Sequence, residues 1–377
     1  MPLWINSPAD LASRIAQCPS RIGLDTEFVR ERTYWPQLAL VQISFGDGDD
    51  DILLIDPLIP GITATLAPLL SDTSILKITH SPGEDLVALK HACGVVPRPL
   101  FDTQTAAALT GIAAGIGYQR LVQDVLGIAL AKGETRSDWL RRPLTPSQLD
   151  YAADDVRHLF ALHDKLTASL QQLGRGEWQE EDCTRMVDNA ERDEADRWPH
   201  LALRAAQFLD TPAQHRLLRL LRWRDVYARE TDRPRNWILD NELATQLARD
   251  SLPDREALQR LLDAHPKAPR KLADLLWNIL QTPLADEGEA PPPRGDDRDK
   301  QALRRLQDAT AARSAELGLP DGVLASRRWL ERLLEASPLD DDTRRWPGPL
   351  SGWRRAQLEP SLAPLLATAG GNASASV

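Results

Sequence analysis

Three short runs in this chain place carboxylates where a backbone element would aim them. Asp25-Thr26-Glu27 stands inside the apolar stretch RIGLDTEF. Because strand side chains alternate, Asp25 and Glu27 share one face while Leu24 and Thr26 take the other. Asp85 follows Ser81-Pro82-Gly83-Glu84, directly after ILKITH. With Ser81 as N-cap, Pro82 at the first helical position and Glu84 closing a capping box, Asp85 falls in the first turn of a helix. In TPSQLDYAADD, Thr145, Pro146 and Gln148 make another start signal, and Tyr151 and Asp155, four apart, lie on one face. Leu149, Ala152, Val156, Leu159 and Leu166 trace an apolar stripe with Leu162 at its edge, and Asp155 borders that stripe on the same edge. A charge left unpaired there is costly. Asp154 points about 100° away around the helix and is not counted with it.

Each run alone has an ordinary reading: a polar strand face, acids favoured by a helix dipole, a surface pair. Asp102 in LFDTQTAAAL reads as an N-cap and nothing more. Taken jointly, three separate elements each present acids at a point where they can meet in one cleft. Clustered carboxylates without histidine or cysteine partners suit hard cations such as magnesium or manganese. Two such ions about 4 Å apart can clamp a phosphodiester, so the chemistry implied is phosphoryl transfer to water.

The elements that must position these acids follow from periodicity. Strands are expected at Arg21 to Phe28, Leu38 to Ser44, Ile52 to Ile55 and Ile75 to His80. Helices are expected at Ser81 to Ala92, Thr103 to Thr110, Leu121 to Leu126 and Thr145 to Leu170. Residues 1–170 thus form an α/β unit, and after residue 200 the strand signal disappears, leaving an all-helical half. With 377 residues, 42% apolar and 27% charged, the chain is long enough for two or three compact units. The net charge of -10 is unevenly spread. Acids dominate through a connector at 171–199, whereas bases outnumber acids across 200–283. The stretch 284–300, LADEGEAPPPRGDDRDK, reads as a solvated linker before a further helical segment at 301–368 and a small polar tail at 369–377. Three cysteines without a CxxC pair support neither a disulfide framework nor a zinc site. With no basic leader pattern and no apolar run near 18 residues, a cytoplasmic location away from membranes is expected.

The segments IGLDTEFVRERTYWPQLALVQIS, HSPGEDLVALKHACGV, FDTQTAAAL and SDWLRRPLTPSQLDYAADDVRHL together resemble the ribonuclease D family, in the tyrosine branch of the DEDD 3′–5′ exonucleases. The resemblance implies a ribonuclease H-like mixed sheet with flanking helices over residues 1–170. It assigns Asp25 and Glu27 to the first motif, Asp85 to the second, and Tyr151 with Asp155 to the third. It implies that the four acids hold two divalent metal ions (Mg2+ or Mn2+) and that Tyr151 orients the attacking water. Nucleoside 5′-monophosphates would be released from RNA 3′ ends, with transfer RNA precursors as the suggested substrate. Since phenol has a reference pKa near 10, deprotonation of the water is better assigned to the metal, which would lower the pKa of bound water. Gln42 and His80 are candidates for contact with the terminal nucleotide, against the alternatives of a strand hydrogen-bonder and a buried histidine.

In the helical half, Arg216, Arg219, Arg222 and Arg224 stand among leucines on one amphipathic helix, a candidate phosphate-binding face or a solvated face paired with nearby acids. WRDVYARETDRPRNWIL resembles an HRDC module, and 301–368 resembles a divergent second copy. Trp223, Trp237 and Trp353 could stack bases or fill a helical core. The rival readings are a 3′–5′ exodeoxyribonuclease and a non-catalytic RNA-binding protein with a dead nuclease fold. The second would be expected to have lost an acid, and all four are present. Dinucleotide binding fails because GIAAGIG lacks GxGxxG and follows a helical pattern, so no small-molecule cofactor is expected.

Overall fold

The computed structural model describes residues 1–131, 133, 137–290, 297–335, 346 and 348–371, arranged as two compact units. Residues 291–296 of the expected linker and 372–377 of the expected tail lie outside the described residues.

The first unit contains residues 1–29, 36–192 and the chain from 297 onward. Its sheet has six strands: β1 (Leu3–Ile5), β2 (Arg21–Val29), β3 (Gln37–Ser44), β4 (Ile52–Ile55), β5 (Leu76–Thr79) and β6 (Leu100–Asp102). Their order is β1-β4-β3-β2-β5-β6. β3 runs antiparallel to β2 and β4, and the other pairings are parallel, so the sheet is mixed. Alternation gives each strand two buried faces. Ile22, Leu24, Val41, Ile43, Leu53 and Ile55 meet α1 (Pro8–Ile15), α2 (Ile62–Ser71) and α3 (Gly83–Cys93) on one side. On the other side lie α4 (Thr103–Leu109), α5 (Tyr118–Leu126), α6 (Pro146–Arg157) and α7 (Leu159–Leu173), around Leu40, Leu54 and Ile78.

The four expected strands appear within a residue or two of their expected limits. β1 and β6, three residues each, carry too little alternation to be read. The helix expected over Thr145 to Leu170 is two helices, broken at His158. No proline or glycine marks that break; the His158 amide instead donates to the Tyr118 hydroxyl at 3.3 Å. Ser81 is not an N-cap. Its φ is +55° and its amide donates to Asp102 at 2.7 Å, so α3 starts at Gly83 after Pro82 with no side-chain cap.

The acidic connector contains α8 (Gly176–Arg192), and its acids hold the last helices of the chain. α14 (Asp297–Leu317), α15 (Arg327–Glu335) and α16 (Trp353–Gly371) share one continuous apolar core with the nuclease helices. Trp178 of α8 stacks on Trp353 with ring centroids 4.4 Å apart. Glu181 accepts from the Trp353 amide at 2.9 Å, and Arg354 forks onto Asp182. Arg175 donates to the carbonyls of Leu109 and Leu317. Gly111, at φ +86°, comes so close to the Gly318 carbonyl that a Cβ there would stand 2.7 Å from its oxygen.

The second unit comprises residues 30–35 and 193–296. α9 (Thr211–Thr231), α11 (Asn241–Arg249), α12 (Arg255–Ala264) and α13 (Ala273–Gln281) enclose a core of Leu217, Leu220, Leu243, Leu258 and Leu276. A short turn, α10 (Arg235–Ile238), joins α9 to α11. The Tyr34 hydroxyl donates to Asp225 at 3.1 Å, and Asp232 accepts from the amides of Tyr34 and Trp35.

Arg354 and Asp182 are each about 9% exposed, and removing Asp182 leaves the Arg354 guanidinium buried without a carboxylate. Asp182→Ala is expected to lower the unfolding free energy by about 3–5 kcal/mol, measured by chemical denaturation. A loss below about 1 kcal/mol, the scale of a surface pair, would show that the pair does not anchor α16.

Candidate active site

β2 and α6 bring the first and third acidic runs together. Gly23 makes the approach possible. A Cβ there would sit 2.2 Å from the Ser44 hydroxyl and 3.2 Å from Leu159, so only glycine lets the start of α7 lie against β2. α6 begins with the expected capping box, Thr145 with Gln148. It presses the small residues Ala152 and Ala153, with Val156, onto the sheet, all fully buried. The Ser44 hydroxyl donates to the Val156 carbonyl at 3.2 Å. Ahead of α6, Arg142 forks onto buried Asp56 at 2.7 and 2.8 Å and reaches the Ala39 carbonyl at 2.6 Å, which fixes the incoming loop to β3 and β4.

The result is a gathering of like charges. One carboxylate oxygen from each of Asp25, Glu27 and Asp155 lies within 4.8 Å of the others, and all three side chains are partly exposed. Asp85 stands beside this group, not within it. The Thr26 hydroxyl, on the opposite face of β2, donates to it, and its field reaches Asp25 and Glu27. Burial is the largest cause holding every member above its ordinary range, with mutual repulsion second for Asp25 and Glu27. Asp25 lies well above it, and Glu27 is pushed up to about 8. Asp155 rises to about 7 and Asp85 to about 6, each moderated by a hydroxyl, from Tyr151 and Thr26 respectively. Burial, then the charge of Asp155, pushes Tyr151 far above the usual phenol range, so it remains a proton donor. Tyr151 and Asp155 line a recess of about 320 Å³ with Gln119, Leu130, Ala131 and Ser147. A donor set made only of carboxylates, each hard to ionise while its neighbours are charged, fits a hard divalent cation.

The remaining expected residues fall elsewhere. Gln42 is in register with Asp25 but wholly buried, and its amide nitrogen and oxygen have no protein partner, so it presents no edge to a nucleotide. His80 has both ring nitrogens engaged, 2.9 Å from the Thr103 hydroxyl and 3.1 Å from the Ile116 carbonyl. Burial lowers its pKa, and it acts as a brace. Arg216, Arg219 and Arg222 lie in the second unit with internal partners. Arg216 donates to the Ala248 carbonyl, Arg219 to Glu287 and the Leu280 carbonyl, and Arg222 to Asp286 and the Arg197 carbonyl. The acids at 286 and 287 therefore belong to this helix and not to a free linker; the expected phosphate-binding face is replaced by ion pairs. Three supports were missed: Thr26, Arg142 and Tyr118. The only sequence sign for any of them is the position of Thr26 between two acids on a strand.

A mixed sheet that aims two strand acids at a helical tyrosine and acid defines a 3′–5′ exonuclease, and the family model described as 3′–5′ exonuclease matches residues 5–171. The similarity extends well past that domain. Ribonuclease D of Xanthomonas oryzae pv. oryzae is 59% identical over 97% of this chain and 99% of its own, and that of Pseudomonas paraeruginosa is 37% identical over 95% and 96%. The crystal structure of Escherichia coli RNase D, described as an exoribonuclease involved in structured RNA processing, superposes with a TM-score of 0.81 at 30% identity, covering 98% of this chain and 99% of that one. This chain belongs to the ribonuclease D family and is a 3′–5′ exoribonuclease.

The raised carboxylates make stability depend on pH and cation together. Their folded pKa values, about 6 to 8, exceed the unfolded values near 4. The folded state therefore binds more protons between these limits, and the stability contributed by protonation is lost as pH rises through about 6 to 8. With EDTA, the melting temperature is expected to fall between pH 6 and pH 8. Saturating Mg2+ or Mn2+ should raise it more at pH 8 than at pH 6, by the equivalent of about 2.7 kcal/mol at a hundredfold excess over Kd. Equal shifts at both pH values would remove the carboxylates as the cation's ligands.

Proposed function

We propose that Asp25, Glu27, Asp85 and Asp155 hold two divalent ions, magnesium or manganese, and that Tyr151 positions the attacking water. The enzyme would then release nucleoside 5′-monophosphates one by one from RNA 3′ ends, acting in the cytoplasm on the 3′ trailers of transfer RNA precursors. The observation that carries this reading is the convergence of Asp25, Glu27 and Asp155 oxygens within 4.8 Å. Bound ions would supply a lowered pKa for water and screening of the phosphodiester charge.

This chain's own groups do the positioning. Asp25 and Glu27 are set by the β2–β3 register, and Asp85 is fixed beside them by the Thr26 hydroxyl. Asp155 is held by α6 and by the Tyr151 hydroxyl. Tyr151 keeps its proton at any working pH, so it orients a water through hydrogen bonding and does not act as the base. Without cations, four acids in one cleft repel a polyanion, which makes productive RNA binding there conditional on ion loading.

Asp25→Ala or Asp155→Ala is expected to reduce 3′ trimming of a labelled precursor transfer RNA by at least about a thousandfold, some 4 kcal/mol of barrier, while RNA binding persists. Tyr151→Phe should lower kcat by about a hundredfold with KM little changed. Trimming retained in either acid variant would reject the ligand assignment, and an unchanged kcat would remove the role of Tyr151. Trailer cleavage no faster than that of an unstructured oligoribonucleotide would reject the transfer RNA assignment.

A further inference from the structure

α6 gives way to α7 at His158, in the turn that carries Asp155, and nothing in the local run DDVRHLF stops a helix there. In an uninterrupted helix the His158 amide would donate to the Asp154 carbonyl four residues earlier. The Tyr118 hydroxyl stands between them instead. It accepts from the His158 amide at 3.3 Å and donates to the Asp154 carbonyl at 3.0 Å. The backbone acceptor of that amide shifts to the Val156 carbonyl, and His158 sits at φ -106°, ψ 5°, outside the helical well. A side chain inserted into the hydrogen-bond ladder breaks a helix without proline or glycine. Tyr118 is itself well held. It opens α5, and the His80 ring meets it edge-on with centroids 5.5 Å apart. His80 is braced by Thr103 and by the Ile116 carbonyl, which also accepts from Gln104 at 2.9 Å. Burial first, and the fields of Asp155 and Asp25 after it, keep the Tyr118 hydroxyl protonated, so it has a proton to give Asp154. Arg157 donates to the Asp154 carboxylate at 2.9 Å and reaches Asp49, so Asp154 is engaged at both its carbonyl and its side chain.

We propose that Tyr118 is a positioning residue for the reaction: its hydroxyl, wedged between Asp154 and His158, opens the last turn of α6 and so sets where the Asp155 carboxylate stands relative to Asp25 and Glu27. Asp155 lies between the two backbone groups that the wedge holds apart, so the direction of its side chain follows the angles of that turn. Without the hydroxyl, the amide and the carbonyl become each other's partners and the helix rewinds through residue 158. A misplacement of about 1 Å at a reacting centre costs about a hundredfold in rate. The fold itself loses little, because the rewound turn leaves neither backbone group unpaired. The proposal rests on the reading of Asp155 as a cation ligand and needs nothing from the second unit.

The test compares four full-length forms: the parent, Tyr118→Phe, Asp155→Ala and the double variant. Mn2+ affinity is measured by calorimetry without RNA, and trimming of a labelled oligoribonucleotide is followed at saturating Mn2+. Tyr118→Phe is expected to weaken Mn2+ binding and to lower kcat by about ten- to a hundredfold each, the range found when a group behind a metal ligand is removed, with KM for RNA within about twofold of the parent. Its melting temperature in EDTA should stay within about 4 °C of the parent's. In the Asp155→Ala background the same change should not weaken Mn2+ binding further, since two substitutions acting through one carboxylate are not additive. Parent-like Mn2+ affinity and kcat in Tyr118→Phe, with both lost in Asp155→Ala, overturn the proposal alone. An equal loss of affinity in the two backgrounds does the same, as does a melting temperature that falls much further or a KM that rises as far as kcat falls. Parent-like Mn2+ affinity and trimming in Asp155→Ala would instead overturn the ligand assignment, and the proposal with it.

Discussion

Three carboxylates, those of Asp25, Glu27 and Asp155, are held close together against their own repulsion with a fourth, Asp85, beside them, and much of the first unit serves to keep them there. Each acid sits above its ordinary pKa because burial and its neighbours oppose ionisation. Such a cluster persists only if the surrounding structure holds it with more energy than its relaxation would release. The β2–β3 register, the alanine-lined approach of α6 and the Arg142–Asp56 fork supply that restraint. Carboxylates crowded in this way are also the donors that suit a hard divalent cation, so the repulsion among them and their fitness for such an ion have one cause.

Arginine is used throughout as an internal strut. Arg142, Arg175, Arg219, Arg222 and Arg354 each reach a carboxylate or backbone carbonyl far away in sequence. A guanidinium suits this work because its planar fork satisfies several acceptors at once and stays charged when covered. The net acidity of the chain therefore says little about where it can bind RNA.

Much of the first unit was legible beforehand. The four longer strands and the placement of Asp25 and Glu27 on one strand face follow from alternation. The capping box at Thr145 and the i, i+4 relation of Tyr151 to Asp155 follow from helical geometry. What escaped were features whose partners are remote. β1 and β6 exist because neighbouring strands pair with them, not because three residues prefer extension. Ser81 loses its expected capping role because Asp102 takes its amide. His158 ends α6 beside the hydroxyl of Tyr118, 40 residues earlier.

By itself, the order of residues determined which chemistry is possible: oxygen ligands without nitrogen or sulfur, on elements whose local periodicity dictates the face each acid occupies. Only the tertiary structure decided that Asp25, Glu27 and Asp155 meet while Asp85 stands aside on a threonine hydroxyl, and that Arg219 and Arg222 are spent on Glu287 and Asp286. Local periodicity follows from the backbone geometry of a few consecutive residues, whereas the pairing of charges depends on distances through space, set when the whole core closes.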